Sequence, residues 1–208
     1  MARTKTSKAW MHEHVTDPFV RRAKQEGYRS RAAYKLLEIL ERDKLARPGM
    51  TVVDLGAAPG GWSQVLAPLV GAKGRVIALD VLEMAPIPHV TFLRGDFAAD
   101  DAPARLDEAL AGRAVDLVVS DMAPNISGVG MVDQARAIHL AELALDFAAG
   151  CLKPGGNLLV KVFQGSGLDE YRRQLGNAFE TVAVRKPKAA RDRSSELFVL
   201  AKGRKAAG

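Results

Sequence analysis

The stretch MTVVDLGAAPGG, residues 50–61, places an acidic residue and three glycines directly after an apolar run. A short, uninterrupted apolar run rich in Val and Leu is typical of a strand that is buried on both faces of a parallel sheet. Glycine has no Cβ atom, so it lets the backbone approach another group closely. In open parallel sheets, ligands bind beyond the carboxyl ends of the strands, where the strand order reverses. The stretch therefore predicts a first strand over residues 51–55, followed by a ligand-binding loop.

Further strand patterns and helical patterns divide the rest of the chain into regular elements. The strand patterns cover residues 75–81, 90–96, 115–121, 157–163, 181–187 and 194–203. Helical periodicity covers residues 61–70, 104–112, 133–152 and 168–179, and the third of these ends at a KPGG stop signal. Alternating strands and helices indicate an α/β fold with a parallel sheet, right-handed crossovers and helices on both faces.

The last two strand patterns are connected differently. Residues 181–187 and 194–203 are separated only by a short basic loop, whereas a parallel crossover needs about a dozen residues or more. We expect these two strands to pair as an antiparallel hairpin at the sheet edge. The predicted fold is thus a doubly wound, mostly parallel, seven-stranded sheet with a C-terminal antiparallel hairpin.

Length and composition exclude several classes of protein. The 208 residues suffice for one sizeable core and are too few for two. No apolar run approaches the roughly 18 to 20 residues that span a membrane, and no apolar stretch follows the basic start MARTKTSKAW, so we expect neither a membrane segment nor a signal peptide. The single cysteine, Cys151, excludes an internal disulfide and leaves too few thiols for a structural zinc site. We expect a cytosolic monomer without a metal ion.

Positive charge is concentrated at the two ends of the chain. Residues 1–35 hold nine Lys or Arg against three Asp or Glu, and residues 185–208 hold eight against two. The middle carries 13 basic and 19 acidic residues. Basic ends indicate a polyanion partner, because Lys and Arg that neutralise phosphates release counterions. Solvated basic tails are the alternative interpretation.

The amino-acid sequence of the glycine loop distinguishes between nucleotide ligands. A dinucleotide site needs G-x-G-x-x-G, but Gly56 is followed by two alanines and Pro59. A P-loop needs Lys and then Ser or Thr after its last glycine, but Trp62 and Ser63 follow Gly61. The loop is therefore not suited to phosphates. A ligand with adenosine and an amino acid but no phosphate fits better, and S-adenosylmethionine is such a ligand.

Two further acids stand where strands end. Asp80 closes the second strand pattern and is placed to accept hydrogen bonds from ribose hydroxyls, as an acid about 20 residues after a glycine-rich turn does in dinucleotide folds. Asp96 closes the third and is placed to face the adenine amino group. Helix caps and turns use Asp as well, and that interpretation stays open for both residues.

Several motifs together resemble the FtsJ/RrmJ family of ribose 2′-O-methyltransferases. They are DLGAAPGGWSQ, GDF, SDMAPN, LLVKVFQG and the RKP…RSSE ending, with the GYRSRAAYKL segment ahead of the sheet. The resemblance covers nearly the whole chain and implies a Rossmann-like fold with S-adenosyl-L-methionine as cofactor. It implies cofactor contacts at Gly56, Gly60, Gly61, Trp62, Asp80, Asp96 and Asp121. It also implies a catalytic tetrad of Lys35, Asp121, Lys161 and Glu196.

The local pattern around the two lysines is compatible with that tetrad. Lys161 interrupts an apolar strand, where an uncompensated cation is costly, so it needs a partner or a task. A buried structural salt bridge to Asp121 is the alternative. Lys35 lies one helical turn from Arg31, away from the apolar face of its helix, and taken alone it would be a solvated lysine.

The acceptor of the methyl group follows from what the sequence lacks. Base C5-methylation usually needs a cysteine nucleophile, but Cys151 stands at a helix end, where it is better explained as a small buried apolar residue. Methylation of an exocyclic amine typically uses an aromatic residue that stacks the extruded base, and the stretch DMAPN, residues 121–125, has none. The remaining acceptor is oxygen, and RNA offers its ribose 2′-hydroxyl.

The resemblance implies methylation of a uridine in bacterial large-subunit rRNA, in the assembled 50S subunit. A 2′-O-methyltransferase for tRNA or an mRNA cap is one alternative, and an RNA-binding ribosome assembly factor without essential catalysis is another. The expected RNA contacts are Arg21, Arg22, Lys24, Arg29, Arg31, Arg191 and Arg193. The expected organisation is a basic extension at residues 1–30, one methyltransferase domain at 31–203 and a basic tail at 204–208.

Overall fold

One seven-stranded sheet forms the centre of the molecule in the computed structural model, which describes residues 17–97, 99–125, 127–190 and 194–206. The strands are β1 (Thr51–Leu55), β2 (Arg75–Asp80), β3 (Val90–Arg94), β4 (Val115–Ser120), β5 (Leu152–Phe163), β6 (Phe179–Arg185) and β7 (Glu196–Arg204). The helices are α1 (Pro18–Glu26), α2 (Ala32–Asp43), α3 (Gly61–Val70), α4 (Ala102–Leu110), α5 (Gly130–Cys151) and α6 (Leu168–Ala178).

The strand order is β3-β2-β1-β4-β5-β7-β6. Strands β1 to β5 are mutually parallel, and β1 pairs with β2 on one side and with β4 on the other. Val53, for example, lies opposite Ile77 and Val118. The strand order therefore reverses between β1 and β4, which confirms the predicted doubly wound sheet and places a crevice beyond their carboxyl ends.

The predicted C-terminal hairpin is confirmed, and β7 lies inside the sheet. β7 pairs antiparallel with both β5 and β6, so β6 forms the edge. The reason is visible in the burial of the two strands. Four consecutive residues of β7, at positions 198–201, are buried, whereas most positions of β6 are partly or fully exposed. The more apolar strand takes the interior position, because both of its faces are covered there.

The largest differences from the predicted element boundaries lie at the two ends of α5. Helix α5 begins at Gly130 rather than at residue 133, and β5 begins at Leu152, inside the predicted helix end and before the predicted stop signal. Leu152 pairs with Val115 and Asn157 with Leu117, so residues 153–156 bulge opposite a single residue of β4. That residue, Asp116, accepts a hydrogen bond from the Thr51 amide at 2.7 Å and pairs with Lys153 at 2.5 Å. These contacts hold the bulge against the sheet.

Helices cover both faces of the sheet, as predicted. Buried residues of α2 and α3, including Leu36 and Leu66, form one core layer with Val52 of β1. Buried residues of α4, α5 and α6 form the second layer with Val53 of β1. Adjacent residues of a strand point to opposite faces, which is why neighbouring valines belong to different layers. In the described part of the chain, no helix is both long enough and apolar enough to cross a membrane.

Phe198 tests the interior placement of β7. Its side chain is fully buried, its strand neighbours are Lys161 on β5 and Arg185 on β6, and its ring centroid lies 5.6 Å from that of Trp62. We expect Phe198→Ala to lower the free energy of unfolding by about 3–5 kcal/mol, the usual cost of truncating a buried aromatic residue. Urea denaturation measures the change. Val184→Ala on the half-exposed edge strand is the control, and an equal loss in both variants would contradict an interior β7.

Candidate active site

A pocket of about 520 Å³ opens at the carboxyl ends of β1 to β4. It lies where the sequence analysis placed the ligand crevice, and each of these strands contributes the residues that follow its last paired position. The lining residues are Gly56, Ala58, Leu79, Asp80, Val81, Leu82, Gly95, Asp96, Phe97, Asp121, Met122, Ala123, Pro124, Asn125 and Leu140. The pocket volume falls in the range of about 300–1,000 Å³ typical of small-molecule sites.

The charged residues in the described lining of the pocket are all acidic. Its lining contains three carboxylates, Asp80, Asp96 and Asp121, and within the described residues neither Lys nor Arg contributes to it. A phosphate-bearing ligand would need cations or a cradle of amides. The pocket is therefore suited to a neutral or cationic ligand with hydroxyl and amine groups. All three acids that were predicted to contact a cofactor are thus brought together.

Asp80 also shapes the loops around the pocket. One of its carboxylate oxygens accepts a hydrogen bond from the amide of Ala58 at 2.9 Å, and the other accepts one from the amide of Leu82 at 2.8 Å. The first bond holds the glycine loop and the second holds the turn after β2. The turn-forming role that stayed open for Asp80 is therefore present. A carboxylate accepts about four hydrogen bonds, so capacity remains for a ligand hydroxyl.

The glycines of the loop lie so close to other parts of the protein that a Cβ atom would not fit. Gly56 lines the pocket, and a Cβ atom there would lie 2.7 Å from Cγ of Met122. At Gly60 a Cβ atom would lie 2.8 Å from Sδ of Met84, and at Gly61 it would overlap Oγ of Ser30. Gly56 and Gly60 also have φ angles of 75° and 104°, which favour glycine. At Gly60 and Gly61 the lack of a Cβ atom thus makes room for neighbouring residues of the protein.

Three of the predicted cofactor contacts lie behind the pocket wall. Gly60, Gly61 and Trp62 are not among the described lining residues. The Trp62 ring is buried, packs on Phe198 and donates a hydrogen bond from Nε1 to the carbonyl of Ala32 at 2.8 Å. The ring therefore anchors the start of α3 to α2. Direct contact of these three residues with a cofactor stays a prediction.

The tetrad residues form two ion pairs beside the pocket. Nζ of Lys161 lies 3.0 Å from Oδ1 of Asp121 and also donates a hydrogen bond to the Asp121 carbonyl. Nζ of Lys35 lies 2.6 Å from Oε1 of Glu196 and 5.7 Å from the Phe198 ring centroid. Phe198 and Lys161 are opposite each other on β7 and β5, and directly paired residues share a sheet face. The structure thus places both lysines next to Phe198, each paired with one of the two carboxylates.

Both ion pairs are largely shielded from water. The exposed fraction is 8% for the Lys161 side chain and 18% for Asp121, and it is 12% for Lys35 and 13% for Glu196. Lys35 is therefore not the solvated lysine that its helix pattern alone indicates, because Glu196 reaches it from β7. Shielding from water strengthens the attraction within each pair. An N–H group or lone pair that the ion pair leaves unused can then be reached only from within the site. Such paired charges next to a ligand pocket are typical of a catalytic centre.

Comparison with known proteins identifies the family of the chain. The family model of the FtsJ-like methyltransferases matches residues 28–204. The chain belongs to the FtsJ-like methyltransferase family.

Several relatives cover nearly the full length of this FtsJ-like methyltransferase. A protein of Azoarcus sp. named ribosomal RNA large subunit methyltransferase E is 64% identical over 96% of this chain and 98% of its own. Proteins of the same name from Nitrosospira multiformis and Pseudomonas aeruginosa are 62% and 58% identical, over 99% and 98% of this chain and 100% and 98% of their own. The crystal structure of a ribosomal RNA methyltransferase from Plasmodium falciparum superposes with a TM-score of 0.77 at 29% identity, over 86% of this chain and all of that one.

The basic residues of the FtsJ-like methyltransferase that were expected to bind RNA fall into three groups. Arg21 and Lys24 are exposed on α1. Arg22 pairs with Glu26 at 2.6 Å and lies over the Tyr34 ring, while Arg31 pairs with Asp17 and donates to the carbonyl of Ala189. Arg29 donates to three backbone carbonyls of neighbouring loops. Arg191 and Arg193 lie outside the described residues.

Asp54 is a site residue that sequence reasoning missed. It is the last residue but one of β1, two residues before Gly56, its side chain is fully buried, and its Oδ2 accepts a hydrogen bond from Ser63 Oγ at 2.6 Å. Within the described residues, no donor reaches its Oδ1. Burial raises the pKa of Asp54 to about 7 against the opposing hydrogen bond from Ser63, and the nearby carboxylates of Asp121 and Asp80 raise it further. An acid inside an otherwise apolar strand was the available signal.

Replacing Asp54 by Asn gives a pH-dependent change in stability. Because the pKa of Asp54 is higher in the folded chain than its unfolded value of about 3.9, the free energy of unfolding of the parent protein falls as the pH rises from about 4 to 7. Asp54→Asn removes this titration and keeps an oxygen that accepts from Ser63. We therefore expect the stability of the variant relative to the parent to rise across that window and to stay level above about pH 8.

Urea denaturation of both proteins at a series of pH values measures this difference. Other titrating groups are common to the two proteins and cancel in the comparison. A difference that does not vary with pH would mean that Asp54 titrates alike in the folded and unfolded chains.

Proposed function

We propose that this protein transfers a methyl group from S-adenosyl-L-methionine to the ribose 2′-hydroxyl of a uridine in 23S rRNA, acting on the assembled large subunit in the bacterial cytoplasm. The observation that carries the proposal is the cation-free, acid-lined pocket beside two buried lysine-carboxylate pairs. The relatives named ribosomal RNA large subunit methyltransferase E support the choice of RNA.

The pocket fits the proposed cofactor in charge and in chemistry. Asp80 retains acceptor capacity for ribose hydroxyls, and Asp96 supplies a second acceptor at the same rim. Val81, Leu82 and Phe97 provide apolar surface suited to an adenine ring. S-adenosylmethionine, when bound, supplies an electrophilic methyl group on a positively charged sulfur. Lys161 pairs with Asp121 from outside the lining, and the other two carboxylates, with neither Lys nor Arg in the described lining, favour a ligand with positive charge.

Lys161 is placed to act on the acceptor hydroxyl. An ammonium group has three N–H donors, and Asp121 engages Lys161 through a carboxylate oxygen and a carbonyl. A third donor remains for the ribose oxygen. In the charged form, Lys161 orients the hydroxyl and stabilises negative charge on the oxygen as its proton leaves to water. In the neutral form it would take the proton itself.

The second ion pair and the basic surface are suited to holding RNA. Lys35 and Glu196 keep a charged donor and acceptor pair within reach of the same face as Lys161, where they can position the ribose and its phosphate. Arg21 and Lys24 present exposed charge on α1, which suits contacts with phosphates. Sequence specificity for one uridine then depends on the shape of the folded RNA.

The direct test is methyl transfer from labelled S-adenosylmethionine to purified RNA from cells that lack the gene. Four substrates are compared: 50S subunits, free 23S rRNA, tRNA and capped mRNA. A 2′-O-methyl group blocks alkaline cleavage at the adjacent phosphodiester, so hydrolysis maps the modified position. We expect one alkali-resistant uridine in 50S subunits. Label in tRNA or caps alone would overturn the choice of RNA, and label released by demethylating a base would overturn the 2′-oxygen.

The competing function is that of a ribosome assembly factor without essential catalysis. A complementation experiment distinguishes it from the function of an enzyme. The intact tetrad and its two ion pairs favour an enzyme. If catalysis is the function, a Lys161→Ala gene fails to restore normal ribosome profiles in cells that lack the gene. Full restoration by that variant would support the assembly factor.

Replacing Lys161 separates catalysis from cofactor binding. We expect Lys161→Ala to lower turnover by about 100-fold or more, the usual cost of losing a group that stabilises developing charge. Its affinity for S-adenosylmethionine should stay close to that of the parent, because Lys161 does not line the pocket in the described structure. Single-turnover kinetics and calorimetry measure the two quantities. Lys153→Ala, which removes a lysine of the same strand paired with Asp116, is the matched control and should retain full turnover.

The pH dependence of the single-turnover rate distinguishes the two forms of Lys161. With the charged form, we expect the rate to keep climbing about tenfold per pH unit beyond pH 9, because hydroxide must remove the hydroxyl proton. A neutral base would instead give a plateau near about pH 7–8 that disappears in Lys161→Arg. The plateau, if found, would contradict the charged role.

A further inference from the structure

The segment that joins α1 to α2 is bound to the elements that form the candidate cofactor pocket. The amide of Arg29 donates to Oε1 of Gln64 at 3.0 Å, and Nε2 of Gln64 donates to the carbonyl of Gly27 at 2.8 Å. Gln64 belongs to the first turn of α3, directly after the glycine loop. The start and the middle of this short segment are therefore fixed to that helix.

The Arg29 side chain connects two loops that belong to different strands. Nη1 donates to the carbonyl of Ala85 at 2.6 Å and to that of Pro59 at 3.2 Å, and Nη2 donates to the carbonyl of Pro86 at 2.8 Å. Nη1 and Nη2 are the two terminal nitrogens of one planar guanidinium group. Pro59 lies in the glycine loop after β1, whereas Ala85 and Pro86 lie in the loop after β2. A guanidinium group presents its donors in a fixed fork, which suits the simultaneous binding of several carbonyls.

These two loops are the ones whose inner sides line the pocket. Ala58 of the glycine loop and Leu82 of the loop after β2 are lining residues, and their amides are held by Asp80. Asp80 thus ties the loops together from inside the pocket, and Arg29 ties them from outside. A Cβ atom at Gly60 would come within 3.0 Å of Nη1 of Arg29, so the glycine leaves room for the guanidinium group.

We propose that Arg29 is a positioning residue that sets the spacing of the two cofactor-binding loops, and not an RNA contact. The proposal rests on the proposed function, because it takes S-adenosylmethionine as the occupant of the pocket. Three of the five N–H donors of Arg29 are directed to backbone carbonyls of the protein itself. Arg29 acts on the cofactor through the loops it holds, and does not touch the reacting atoms.

Calorimetry on the full chain tests the proposal. We expect Arg29→Ala to raise the Kd for S-adenosylmethionine by about tenfold, the equivalent of losing one or two hydrogen bonds that order the site. Turnover at saturating cofactor should stay within about twofold of the parent, since the loss lies in binding. Arg29→Lys keeps the charge with a single donor centre and should recover only part of the affinity.

Two control variants separate positioning from general stability and from RNA contact. Arg75→Ala removes an arginine that also donates to a backbone carbonyl, that of Ala109 at 3.0 Å, at the opposite end of the sheet. It should leave the cofactor Kd unchanged. Arg21→Ala removes an exposed cation of α1, and it should lower the salt dependence of RNA binding by about 0.7–0.9 log units, whereas Arg29→Ala should leave that slope unchanged.

A measurement without cofactor checks the structural basis. If Arg29 holds the two loops, the amides of Ala58 and Leu82 should exchange with solvent faster in Arg29→Ala than in the parent, while amides of β4 keep their rates. An unchanged Kd with unchanged exchange would overturn the proposal, and so would an unchanged Kd with a reduced RNA salt slope. A parent protein that binds no S-adenosylmethionine, yet shows the faster exchange in the variant, would overturn the proposed function and leave the loop spacing by Arg29 standing.

Discussion

The buried ammonium group of Lys161 sets the constraint on which the site depends. Lys161 interrupts β5 and only 8% of its side chain is exposed, so its charge must be compensated inside the protein. Asp121 provides the compensation from the end of β4, and it can do so only while β4 and β5 are neighbours in their observed register. Breaking such a pair by removing one partner typically costs about 3–5 kcal/mol. The strand order places the ion pair, and the ion pair in turn penalises any slip of β5.

Much of the fold could be predicted because the strands are buried on both faces. The limits of β1 agree with the predicted residues 51–55, since an apolar run that ends in glycine has clear boundaries. The start of β5 could not be predicted, because residues 153–156 look like a helix stop and are held to the sheet by Asp116, a residue far away in sequence. Local patterns describe an element well only when its ends are determined locally.

The candidate site, like the fold, has one part that could be predicted from the sequence and one part that could not. Asp80, Asp96 and Asp121 could be placed from sequence because each follows a strand, and parallel strands bring their carboxyl ends together. The pairing of Lys35 with Glu196 could not be derived from helix periodicity, because the partner arrives from β7. The charge of Arg29 predicts an RNA contact but does not show the three carbonyls that it binds, which lie 30 to 57 residues away along the chain. Charge alone does not show which groups a side chain meets.

The interior position of β7 has a consequence for biosynthesis. β5 is flanked on one side by β4, which precedes it in the chain, and on the other by β7, which follows it after α6 and β6. A nascent chain that has not yet produced residue 196 leaves one side of β5 without its hydrogen-bonding partner, and Lys35 without Glu196. An open, apolar strand edge readily pairs with other chains. The Lys35–Glu196 pair therefore forms only after β7 has been made, and until then the uncovered edge of β5 is open to pairing with other chains.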